Sequence, residues 1–245
     1  MVTLATALLL GLTHTILGPD HYLPFIVIGR ARRWGLGRTA VLTAVCGVGH
    51  VASSVVIGML GAAAGSALTT LEGFESLRGE LAGWGLLAFG GGYSIFGLWR
   101  ALRGRAHRHV HLHDDGVIHA HGHAHPSAGG HPPVHAHGHP GEAADGQPAS
   151  WKQLTPWLLF LVFVLGPCEP LIPLFFADAV AGDWLTALWL AAAYGAATLA
   201  AMLTIVTLFW VGLRRLPLGP LERYSHVVAG GVILVAGFGM VFLGW

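Results

Sequence analysis

The sequence predicts an all-α polytopic membrane protein, with six transmembrane helices arranged as 3+3 inverted repeats in which helices 1 and 4 are broken. Three observations lead there. Only 10% of the 245 residues are Asp, Glu, Lys or Arg, against 54% hydrophobic, less than half the charge of an ordinary soluble domain. Apolar runs approaching or exceeding the ~20 residues of a bilayer crossing occur six times. A Leu-Gly-Pro motif also recurs at the same point of the first run in each half.

Taken in order, the runs lie near residues 2–29, 38–64, 81–100, 154–177, 184–213 and 225–245. The first has no basic n-region and no small-residue cleavage pattern, so it reads as a retained span and not a signal peptide. It is interrupted by "LGPDHYLP", and the fourth by "LGPCEPLIP". A proline inside a helix removes a donor and clashes with the preceding turn, so both spans should kink or break, with Pro24, Pro170 and Pro173 extending the disruption. Runs three and six hold "FGGGYSIFG" and "VAGGVILVAGFG", small-residue faces suited to close helix packing. Residues 1–104 form the first three-helix repeat, 105–153 a His-rich loop, and 154–245 the second repeat.

The repeat itself rests on an offset of 148, which lays Gly18 on Gly166, Pro19 on Pro167, Leu23 on Leu171 and Gly47 on Gly195. Three spans per half is an odd number, so the second half enters from the opposite face, the plan of many transporters. Basic residues set the orientation. Of 13 Lys and Arg, all but Arg78 fall between spans 1 and 2, 3 and 4, or 5 and 6. The positive-inside rule then puts those loops in the cytoplasm and both termini outside, in an inner (plasma) membrane. Trp34, Trp84, Trp99, Trp151, Trp184 and Trp245 sit near span ends as an aromatic belt. The net charge of +1 gives no sign of a nucleic-acid partner; the partners expected are the lipid bilayer, a transported ion and a cytoplasmic acceptor protein.

Ionisable groups are costly at membrane depth and mark function there. Asp20 and Glu169 are the acidic residues placed at that depth, each beside a Gly-Pro break, together with His14, His21, His50 and Cys168. His14 and His21 are seven apart, about 10 Å on an intact helix, too far for one ion unless the break closes the gap. Imidazole suits divalent Ni, Co, Zn or Cu, and a carboxylate offsets the cation's charge. Half two would add Cys168 and Glu169, with Glu169 alternatively a proton carrier. Cys46 reads as a packing residue. The segment from His107 to His139 holds twelve of the 16 histidines: His107, His109, His111, His113, His119, His121, His123, His125, His131, His135, His137 and His139. With Gly, Pro and Ala between them no core can form, so a disordered cytoplasmic metal chelator is expected.

At these residues the chain resembles the nickel/cobalt transporter families, whose signature is His-x4-Asp-His in an early span. It is most similar to the six-span branch with urease-accessory membrane proteins and nickel/cobalt exporters with histidine-rich loops. Here "HTILGPDH" is His-x5-Asp-His, one residue longer. The resemblance implies transport of Ni²⁺ or Co²⁺, without enzymatic chemistry or a resident cofactor, with His14, Asp20, His21 and His50 handling the metal. Uptake is favoured over efflux, because an inside-negative potential draws a divalent cation inward by about 4.6 kcal/mol per 100 mV. Two competing classes are a thiol/disulfide electron transporter, since "GPCEP" is similar to the cysteine-bearing breaks of such proteins, and a sulfur-oxyanion exporter. The first would want a cysteine where Asp20 stands, and the second basic residues within the spans.

Overall fold

The apolar stretch from Leu4 to Ala31 does not form one helix in the computed structural model, which describes residues 3–103, 107–112, 118–123, 149–168, 170–214 and 219–243. Helix α1 (Leu4–Leu17) ends at Gly18, whose extended backbone (φ −91°, ψ 91°) leads the chain out while its N–H still bonds His14 O at 3.0 Å. Pro19 opens a single 3-10 turn, Pro19–His21, and Pro24 lies in the first turn of α2 (Leu23–Ala31). There a missing N–H costs nothing, because first-turn donors have no helical acceptor. The second half repeats the device: α5 (Ala149–Leu165) stops before Gly166, and α6 (Leu171–Val180) restarts behind Pro170. The expectation that Pro24 and Pro173 lengthen the breaks is therefore corrected, since both sit in the opening turn of a new helix.

Two further helices follow each broken pair. They are α3 (Leu36–Ala63) and α4 (Leu68–Arg103), then α7 (Trp184–Arg214) and α8 (Ser225–Phe238), the last preceded by a 3-10 segment, Gly219–Tyr224, and continued by a π-helical turn, Gly239–Leu243. Among the described residues four stretches are long and apolar enough to cross a membrane: Leu36–Ala63, Leu68–Leu102, Trp184–Leu213 and Glu222–Leu243. Large apolar side chains face outward, including Ile95 at 71% exposure and Leu185 at 68%. An apolar exterior of that kind suits lipid contact and would be an aggregation hazard in water.

Three further expectations change. Helix α4 begins at Leu68 and not near residue 81, so Arg78 is no loop charge but a buried residue paired with Glu75 one helical turn away. Trp34 is buried too, under the Arg38 guanidinium 4.8 Å from its ring, whereas Trp84, Trp99 and Trp184 are exposed as interface anchors would be. In the histidine-rich segment, β1 (His107–Leu112) and β2 (Ile118–His123) pair antiparallel, with His107 opposite His123, His109 opposite His121 and His111 opposite His119. Regular structure was not expected there; a strict His-x-His alternation matches the period of two that a strand requires. His113, His125, His131, His135, His137 and His139 lie outside the described residues.

Packing joins the halves crosswise. Helix α1 lies along α7 as α5 lies along α3, α2 meets α8 as α6 meets α4, and α3 crosses α7 while α4 runs along α8. Gly47 and Gly195 both serve the α3–α7 crossing: a Cβ on the first would come within 2.7 Å of Leu199 Cδ2, and on the second within 2.9 Å of Val51 Cγ1. The α4–α8 contact is closer still, backbone against backbone, along Gly83, Gly90 and Gly97 on one helix and Gly230 and Gly237 on the other.

A Cβ on Gly90 would stand 2.4 Å from Leu234 N, a main-chain atom that cannot swing aside. Gly90→Val is therefore expected to destabilise the protein by about 3 kcal/mol or more, the upper range for overpacking. Gly91→Val is the control, because its Cβ would meet only Leu234 Cδ1 at an ordinary 3.6 Å. Thermal unfolding of both variants in detergent checks this; equal melting temperatures would show that the seam tolerates separation.

Candidate metal centre

The first break brings together residues that an intact helix would hold about 10 Å apart. His14 is in the last turn of α1 and His21 at the end of the 3-10 turn, yet their ring centroids are 4.6 Å apart. His50, from the middle of α3, completes a triangle at 5.0 Å from His21 and 6.4 Å from His14. His21 and His50 are each 3% exposed.

Hydrogen bonding decides which nitrogen His21 and His50 present. His50 Nδ1 lies 3.2 Å from the Phe163 carbonyl, and His21 Nδ1 lies 3.1 Å from the Gly18 carbonyl. A carbonyl only accepts, so Nδ1 carries the hydrogen and donates, and the lone pair is left on Nε2. The Nε2 atoms of His14, His21 and His50 are all buried and have no hydrogen-bond partner among the described residues. Leaving one such atom unpartnered costs about 1–3 kcal/mol. On His21 and His50 those atoms carry lone pairs, which call for an acceptor such as a metal cation, and His14 Nε2 lies on the ring beside them.

Cys168, from the second break, is fully buried and reaches the same place. The donor atoms of His14, His50 and Cys168 all lie within 4.8 Å of one another. Ligand atoms around a tetrahedral ion with bonds of ~2.0–2.3 Å are roughly 3.3–3.8 Å apart, so modest side-chain rotation would close the set. His21 is outside this tightest group but its ring adjoins two of its members.

Asp20 has a different place from these candidate ligands. Its Oδ1 is 3.3 Å from His21 Nδ1, the nitrogen that already donates to Gly18, and its side chain is one-fifth exposed. That is the carboxylate–histidine arrangement in which the acid orients and polarises a ligand from behind. Glu169 lies outside the described residues. Cys46 is buried in a cluster with Phe25, Phe163 and Met202, separate from the one containing Cys168, and both thiols are free.

Three residues beside the site were not among the candidates of the sequence reading. Glu75 and Arg78 of α4 are 2% and 5% exposed, and they bond to the second break and to Ser53 and Ser54 of α3. Tyr194 of α7 accepts a hydrogen bond from Cys168 Sγ at 3.4 Å. The signal for the first two was an acid and a base three apart beside an apolar run, which a helix turns into a self-neutralising pair. Arg78 is also a basic residue inside a membrane-length helix, which the oxyanion alternative asks for. Its guanidinium is taken up by Glu75, two serines and two carbonyls and is not presented to an anion.

No protein-family model, curated protein or solved structure matches the chain.

Proposed function

We propose that this protein carries a divalent transition-metal ion across a membrane, with Ni²⁺ or Co²⁺ the favoured cargo and Zn²⁺ or Cu²⁺ the alternatives, as in the nickel/cobalt transporter families. The observation that carries the reading is the set of three buried, unpartnered Nε2 atoms from His14, His21 and His50, two of them held in the metal-binding tautomer by backbone carbonyls. Imidazole with one sulfur suits borderline ions of the late first row over Mg²⁺ or Ca²⁺. The residues that would bind the ion are His14, His21, His50 and Cys168, with Asp20 orienting His21 and offsetting charge.

The transport reading, as distinct from a static metal store, rests on where the site lies. It sits between two broken helices, where irregular backbone at membrane depth is tolerated only against protein or a hydrated path. In the 3+3 plan α1–α2 and α5–α6 are spans 1 and 4, each crossing as a broken helix. Exchanging the halves turns the α1–α7 contact into α5–α3 and the α2–α8 contact into α6–α4, and both members of each pair are present. That reciprocity supports a repeat of the two halves, and the positive-inside distribution of Lys and Arg supports both termini outside with the histidine-rich segment in the cytoplasm. The segment would then hold metal delivered inward before a cytoplasmic acceptor takes it.

The test is metal flux in vesicles of known orientation, with Ni²⁺, Co²⁺, Zn²⁺ and Cu²⁺ each supplied alone. An imposed inside-negative potential should accelerate entry with no pH gradient, since ~2.3 kcal/mol per charge per 100 mV acts twice on a divalent ion. Flux outward that depends only on a proton gradient would make the protein an exporter. Absence of flux for all four ions would reject transport of these metals.

A further inference from the structure

We propose that Arg78 and Glu75 are positioning residues that fix the Gly166–Pro167–Cys168 turn against α4, so that the Cys168 thiol is the soft donor that sets which ions the site prefers. This rests on the metal-site reading above and adds to it a determinant of specificity.

The case begins with the carbonyls that the second break leaves behind. Helix α5 ends at Leu165, so the acceptors of its last turn have no helical donor, and unsatisfied carbonyls at membrane depth are costly. Arg78 answers one of these acceptors and one carbonyl of the break itself, with Nη2 donating to Val164 O at 2.6 Å and Gly166 O at 3.3 Å. The same nitrogen donates to Ser53 Oγ at 2.7 Å, and Nη1 to Ser54 Oγ at 3.2 Å and to the Glu75 carboxylate. Glu75 Oε2 in turn accepts from Ser54 Oγ at 2.9 Å and from the Cys168 backbone N–H at 3.1 Å. The break is thus held at its carbonyls by the guanidinium and at its amide by the carboxylate.

Steric contact acts in the same direction. A Cβ on Gly79 would come within 2.9 Å of Pro167 Cγ, so α4 lies directly against the proline of the turn. A buried ion pair is seldom a gain in stability over well-packed apolar residues. Its retention here has a specific use: a planar group with five donors can join α3, α4 and two carbonyls of one turn in a fixed geometry. Cys168 is then pinned on both sides, its amide by Glu75 and its sulfur by Tyr194, with His14 and His50 nitrogens within 4.8 Å. Loosening the turn would withdraw the sulfur and leave a site of imidazoles alone. Such a site binds, but with less preference for ions that favour thiolate.

The experiment is Co²⁺ titration of the full-length protein in detergent, followed by absorption. Thiolate coordination gives a near-ultraviolet charge-transfer band, while imidazole coordination gives only the weaker visible bands. The wild type should show both, and Cys168→Ser should lose the first. Arg78→Gln should keep the visible bands, lose most of the near-ultraviolet intensity per bound Co²⁺ and bind about tenfold more weakly, the lower range for outer-shell losses, with Arg78→Lys between. If Arg78→Gln does not fold, Ser53→Ala and Glu75→Gln, which remove one bond or one charge, should each lower the near-ultraviolet intensity. Wild-type intensity in every folded variant overturns the proposal. A wild type that binds Co²⁺ without the near-ultraviolet band also overturns it while leaving the histidine site standing. A wild type that binds no Co²⁺ removes the metal-site reading and this proposal with it.

Discussion

His50→Ala is expected to abolish metal flux while the protein still inserts and folds. His50 belongs to the tightest donor group, with His14 and Cys168, and its Nε2 is one of the three buried nitrogens without a partner. Losing a group behind a ligand typically costs 10–100-fold in affinity, so losing the ligand itself should cost more than about 100-fold. Folding is expected to survive because the imidazole makes one hydrogen bond, to Phe163 O, and removing it also removes a buried unpartnered atom. His226→Ala is the matched control. That histidine is also buried, but it bonds the Tyr93 hydroxyl at 2.9 Å and is not among the donor group. Its replacement should leave flux near normal at some cost in stability. Vesicle uptake normalised to reconstituted protein measures both; near-normal flux in His50→Ala would remove the site assignment.

Gly18→Ala should have the next largest effect, through one methyl group. The backbone at Gly18 is of a kind any residue adopts, so conformational freedom is not the issue. Space is: an added Cβ would stand 2.6 Å from His21 Nδ1 and 2.9 Å from Asp20 Oδ1. Both are side-chain atoms and will move, so the penalty falls on the site more than on the fold. Displacing His21 breaks its bond to Gly18 O and its contact with Asp20 together, and these are the interactions that aim Nε2. Metal affinity should fall by about 10–100-fold, with the melting temperature of the metal-free protein little changed. Calorimetric Co²⁺ titration beside a thermal melt separates the two; unaltered affinity would mean that His21 is not held from behind as described.

Much of the site was legible in the sequence because charge and imidazole are rare in apolar runs. His14, Asp20, His21 and His50 stand out for that reason alone, and Gly18-Pro19 announces a break that draws the first and third together. What could not be read was the direction each ring faces. Whether Asp20 is a ligand or stands behind one depends on a single 3-10 turn, and that turn places it on the Nδ1 side of His21. Glu75 and Arg78 were misplaced for the opposite reason. Their charges interrupt the hydropathy of α4, so the segment reads as loop, although within a helix they cancel one another and the membrane-length stretch extends through them. The glycine faces of α4 and α8 were legible as small-residue surfaces, but their partnership with one another needed the three-dimensional path of the chain.

The α4–α8 seam also determines which parts of the molecule are free to move. Two helices whose backbones touch at Gly83, Gly90 and Gly97 and at Gly230 and Gly237 cannot slide by a partial step without driving Cβ atoms into main chain. The next sterically matched register is a heptad away, about 10 Å along the axis. The pair is therefore locked in translation. Helix α1 meets α7 closely at one glycine, Gly11, where a Cβ would lie 2.5 Å from Tyr194 O. Movement along the axis is thus most restricted in the α4–α8 pair, and from α4 of that pair Arg78 clasps the second break.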